Sequence, residues 1–196
     1  MSNSQLIDNA IFYIEEIFRD NADGHDLEHS MRVYRTAAAI AEKYGECDKM
    51  VVALAAILHD VDDHKLFDTE NYQNARKFLK DNGVDEAMSD RVCAVIDDVS
   101  FSKNKDRVPE SIEGKIVQDA DRLDAMGAVG IARTFAYGGK KGRSLDDSVQ
   151  HFYDKLLLLY DRLNTKEAKE IATGRHEFMV EFLNEFKKEI NNNYNI

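Results

Sequence analysis

"LAAILHDVDDHK", residues 54–65, joins an alanine- and leucine-rich run to six ionisable side chains: His59, Asp60, Asp62, Asp63, His64 and Lys65. The run continues backwards through Val51, Val52 and Ala53. A helix apolar on every side belongs inside a bundle, where neighbours cover it all round. Residues 48–60 are therefore read as a core helix closed by His59 and Asp60. The polar groups that follow have two readings. Either the segment reaches the surface and they are solvated, or they are wanted at the edge of the core.

The rest of the chain supports a helical frame around that segment. Of 196 residues, 43% are hydrophobic, enough to bury a substantial core in one domain. There is one proline, Pro109, and ten glycines, a scarcity that favours long helices over strand turns. Helical spacing of apolar residues predicts helices over 4–20, 26–44, 70–81, 85–99, 110–126, 127–136, 145–163 and 165–190, besides 48–60. "YGGKKGRS", residues 137–144, reads as a glycine-rich basic loop. No period-two strand and no internal repeat is found. The expectation is an all-α bundle of about eight to ten helices. It forms a single domain over 1–196, with core motifs in 25–125 and C-terminal helices in 145–190.

Cys47 and Cys93 stand apart, without CxxC spacing, which suits a reduced interior better than a disulfide framework. The N-terminal apolar stretch contains acidic residues and has no basic leader, so it does not read as a signal peptide. No uncharged run reaches membrane length. These features set the expectation of a cytoplasmic protein. The formal charge of −11 opposes a nucleic-acid polymer or an anionic membrane as partner. A small anionic substrate would need a local cation to overcome that repulsion. Apolar residues on several helices leave a homodimer open.

Candidates for that cation come from the histidines and aspartates. His29 lies early in the second helix with Arg32 three residues on, and His25 precedes His29 by four. His59–Asp60 closes the third helix, where the dipole disfavours a carboxylate unless a cation compensates. "QDADRLDA", residues 118–125, sets Asp119, Asp121 and Asp124 in a segment that otherwise reads as core. Imidazoles plus carboxylates make a mixed nitrogen and oxygen donor set. It suits Mn²⁺, with Mg²⁺, Co²⁺, Ni²⁺, Fe²⁺ or Zn²⁺ as other candidates. No cysteine is placed to build a closed zinc site.

"HDLEHSMRV", "ILHDVDDHK" and "DADRLDAMGAVGIARTFAYGG" together resemble the HD-domain metal-dependent phosphohydrolases, most closely small bacterial members similar to nucleotide pyrophosphohydrolases. The similarity runs from about residue 20 to the C-terminal helix. It implies that His29, His59, Asp60 and Asp121 bind one divalent metal. Asp121 is selected because the family's aspartate precedes a basic residue and leucine. It also implies that Asp63, three residues after the HD aspartate, positions or deprotonates water. Many relatives carry Glu-Asp there, so Asp63–His64 departs from the pattern.

The reaction expected from the resemblance is hydrolysis of a phosphoester or phosphoanhydride, in a nucleotide. A divalent ion would polarise a phosphoryl oxygen and acidify water. Catalytic candidates are Asp63, His64 and Lys65; candidates for offsetting phosphate charge are Arg32, Arg122, Arg133 and Lys140. Asp124 is expected to orient a neighbouring group, and Asp62 has no assigned role. Three other readings are weighed: a nucleotide-sensing module without turnover; an HD-type signalling phosphodiesterase, disfavoured because its Gly-Tyr-Pro extended motif is absent; and a di-iron oxygenase using His25 and His64 as extra ligands.

Overall fold

The computed structural model describes residues 1–19, 26–64, 66–99 and 107–191. Among them the secondary structure is helical and contains no strand, in agreement with the all-α reading. The chain divides into two compact units, Met1–Asp121 and Arg122–Ile196. No helix of the described residues is long and apolar enough to cross a membrane.

The first unit is built on α1 (Asn3–Ile17), α2 (Leu27–Ala41), α3 (Lys49–Leu58), α4 (Gln73–Asp81), α5 (Glu86–Val99) and most of α6 (Ile112–Asp124). Helix α3 packs against α1, α2 and α5. Every residue from Val51 to Leu58 is buried, which accounts for its apolar character on all sides. Truncating a side chain such as Leu54, fully buried, would cost about 2–5 kcal/mol. The start of α3 is sharp because Asp48 accepts hydrogen bonds from the Met50 and Val51 N–H groups, at 3.1 and 3.3 Å. Arg91 donates to the other oxygen of Asp48 at 2.8 Å, linking this cap to α5.

The end of α3 comes two residues earlier than the sequence predicts. His59 and Asp60 lie in the turn after Leu58, not in the helix. His59 Nδ1 donates to the Ala56 carbonyl at 2.9 Å, and the Val61 N–H bonds back to Leu58 at 3.2 Å. The side chain thus takes a carbonyl that the helix end leaves without an intrahelical partner. Helix α4 also begins late, at Gln73, because Asn71 and Tyr72 occupy left-handed backbone conformations with φ of 53° and 58°.

The second unit contains α7 (Gly127–Lys140), α8 (Leu145–His151), a π-helical turn over Phe152–Leu156, a 3-10 segment over Leu157–Arg162, and α9 (Lys166–Ile190). Helix α9 packs against α7 and the 3-10 segment. Phe135, Phe152, Phe182 and Phe186 meet with ring centroids 5.8–6.3 Å apart. Two expectations change here. Tyr137–Lys140 is the last turn of α7, so the predicted "YGGKKGRS" loop shrinks to its second half. A Cβ on Gly138 would lie 2.5 Å from Ser148 Oγ, so close packing against α8 requires the glycine and overrides its poor helix propensity. The expected helix over 145–163 is a short α8 followed by the π and 3-10 turns.

Candidate metal centre

Three elements of the first unit deliver the candidate ligands. Asp26 accepts a hydrogen bond from the His29 N–H at 2.8 Å, capping α2 and setting His29 in its first turn. The turn after α3 supplies His59 and Asp60. The C-terminal half of α6 supplies Asp121.

Their donor atoms converge. His29 Nε2 and His59 Nε2 are 3.2 Å apart. Asp60 Oδ2 lies 3.4 Å from His29 Nε2 and 3.3 Å from His59 Nε2. Asp121 Oδ1 lies 3.4 and 3.9 Å from the same two nitrogens. One donor atom each from His29, His59 and Asp121 forms a group within 4.8 Å that could hold a metal ion. Two donors about 2.1 Å from one small divalent cation stand about 3.0–3.4 Å apart at right or tetrahedral angles. Four of the five measured separations fall in or at the edge of that range.

The chemistry of the donors agrees with the spacing. A carbonyl only accepts, so the 2.9 Å bond to Ala56 places a proton on His59 Nδ1. In the neutral ring, Nε2 then presents its lone pair to the cluster, the arrangement that metal-binding histidines use. Both imidazole side chains are almost fully buried, at 2% and 3% exposure, while Asp121 retains 26%. Desolvation is the largest influence on the Asp121 carboxyl and pushes its pKa up. The hydrogen bond with His29 and the charges of His29 and His59 more than offset this, leaving it below the ordinary value.

The remaining candidates are more scattered. Asp63 is mostly covered, at 16% exposure, and its carboxylate is 3.6 Å from Nδ1 of the exposed His64. Arg32 lies half-buried on α2, one turn beyond His29. His25 and Lys65 lie outside the described residues.

In the second unit, Arg122 is buried and donates to the Arg162 carbonyl. Arg133 pairs with the buried Asp124 at 2.5 Å. Lys140 is the exposed last residue of α7. His176 packs on Tyr160, ring centroids 5.0 Å apart. Sequence reasoning passed over Arg175, which donates to the Leu123 carbonyl near the end of α6. Fifty-two positions separate the two, so no local spacing could have signalled the contact.

Comparison with known proteins points the same way. The HD domain family matches residues 26–126. The uncharacterised protein YpgQ of Bacillus subtilis is 43% identical over 186 residues, covering 91% of this chain and 90% of its own. A crystal structure of YpgQ in complex with ADP superposes with a TM-score of 0.83 at 39% identity, covering 96% of this chain and 97% of that one. An HD-superfamily hydrolase from Bacillus thuringiensis gives 0.80 at 39% identity, covering 97% and 99%. The match across motif, chain length and fold makes this chain a member of the HD domain family.

Proposed function

We propose that this chain is a divalent-metal-dependent phosphohydrolase acting on a nucleotide. The observation that carries the reading is the convergence of His29, His59, Asp60 and Asp121, two imidazole nitrogens and two carboxylates with measured separations of 3.2–3.9 Å. Bound there, a divalent cation, Mn²⁺ first among the candidates, would supply Lewis acidity toward a phosphoryl oxygen and lower the pKa of water. His59 holds its Nδ1 proton against the Ala56 carbonyl and keeps Nε2 as the donor. Asp63, in the turn that follows, accepts a proton from the attacking water through its carboxylate. His64 Nδ1 stands 3.6 Å from that carboxylate. Arg32, one turn from His29, offsets phosphate charge. A nucleotide substrate is supported by the ADP bound in YpgQ.

The test is turnover by the purified chain with Mn²⁺ against a panel of nucleoside mono-, di- and triphosphates, with products identified by mass. Release of phosphate or pyrophosphate is expected, and Asp63→Asn should lower kcat by at least about a hundredfold while leaving metal content intact. Nucleotide binding without turnover would sink the enzyme reading and favour a sensing module.

A further inference from the structure

We infer that Asp62, the one carboxylate of the HD turn without a role in the metal reading, is a positioning residue that clamps this turn to α4. Its two carboxylate oxygens accept from two consecutive backbone amides twelve and thirteen positions on: Asn74 N–H to Oδ1 and Ala75 N–H to Oδ2, both at 2.9 Å. These are the second and third residues of α4, whose amides have no intrahelical acceptor. The residue at the normal capping position, Tyr72, makes no side-chain cap. The neighbouring amides are met by backbone, Gln73 by the Glu70 carbonyl and Arg76 by that of Tyr72. Asp62 therefore acts as a remote N-cap, with charge as well as hydrogen bonds suited to a helix N-terminus.

The clamp closes from the other side. Asn74 Nδ2 donates to the Val61 carbonyl at 2.7 Å, and Tyr13 on α1 donates to the Asn74 carbonyl at 3.4 Å. Within the turn, Val61 N–H bonds to Leu58, Asp63 N–H to Asp60, and the Leu66 and Phe67 N–H groups to Asp63. In a helical turn, residues two apart project in nearly opposite directions. Asp60 thus faces the imidazoles while Asp62, two positions on, grips α4. Two successive non-glycine residues in left-handed conformations, Asn71 and Tyr72, make the path into α4 one that the chain does not adopt unaided. The Asp62 grip and the Tyr72 hydroxyl donating to Asp97 hold it. Through these contacts α4, seated by buried Ala75, Phe78 and Leu79, becomes the fixed support against which Asp60 and Asp63 are placed.

The inference rests on the metal reading of His29, His59, Asp60 and Asp121, and the experiment separates the two. Asp62→Asn sets an amide NH₂ against an N–H donor and so breaks one arm of the grip; Asn74→Ala is a milder cut at the same clamp. Lys80→Ala, on the exposed face of α4 and outside both the clamp and the buried seat, is the control for an unrelated change in the helix. Hydrogen exchange of the Val61, Asp63, Leu66 and Phe67 amides is compared without metal, and Mn²⁺ affinity is titrated on the full chain. Both clamp variants should speed exchange in the turn and weaken Mn²⁺ binding by about 10–100-fold, with Lys80→Ala changing neither beyond about threefold. Unchanged exchange in the turn overturns the clamp, whether or not metal binds. Faster exchange with unaltered Mn²⁺ affinity overturns its link to the site. Failure of the unmodified chain to bind Mn²⁺ overturns the metal reading and that link together.

Discussion

At the level of single residues, the decisive group is His59. It combines a buried ring, a proton held on Nδ1 by the Ala56 carbonyl at the end of α3, and an Nε2 edge toward two carboxylates and a second imidazole. Its candidacy came from the resemblance of three motifs in order to the HD family, since a His–Asp dipeptide on its own is common. The same holds for His29 and Asp121 once the family pattern is in view. The role of Asp62 could not be read. Its partners lie twelve and thirteen residues away and are backbone amides, which leave no signature in residue identity. Replacing His59 or Asp121 by alanine should abolish stoichiometric Mn²⁺ binding, because each removes a donor that the others cannot replace. Isothermal titration on the two variants checks this, and full metal content in either would show the ligand set to be wrong.

At the level of helices, apolar periodicity placed almost every element, and glycine misled where packing overrode propensity. Gly138 sits in the last turn of α7 because a Cβ would meet Ser148 on α8. Gly130 is more constrained: a Cβ there would stand 2.2 Å from the Ala125 carbonyl oxygen, in the turn that joins α6 to α7. That contact is with backbone and cannot be relieved by rotating a side chain. Gly130→Ala should therefore destabilise the chain by about 1–3 kcal/mol. Gly139, one residue before the end of α7 with open space around it, should show the opposite sign. There alanine improves helix propensity by up to about 1 kcal/mol. Urea midpoints for the two variants separate these effects.

For the molecule as a whole, all four proposed ligands, from His29 to Asp121, lie within the first compact unit, so metal binding and the stability of that unit should be linked. Saturating Mn²⁺ at about a hundred times Kd should add about 2.7 kcal/mol and raise the melting midpoint by about 5–10 °C. EDTA should reverse the rise, and His59→Ala should lack it; calorimetry with and without metal reads both. The sequence by itself determined the helical class, the buried character of α3 and the identity of the groups able to bind a cation. The first two follow from apolar periodicity, which acts over a few residues; the last follows from the resemblance of short motifs to the HD family. Only the tertiary structure decided that α3 stops before His59, that α7 runs through its glycines, and that Val61 and Asp62 in the turn after α3 are hydrogen-bonded to the start of α4. Those outcomes depend on hydrogen bonds and close contacts between segments far apart in the chain, and no local pattern records which distant backbone atoms will be within reach.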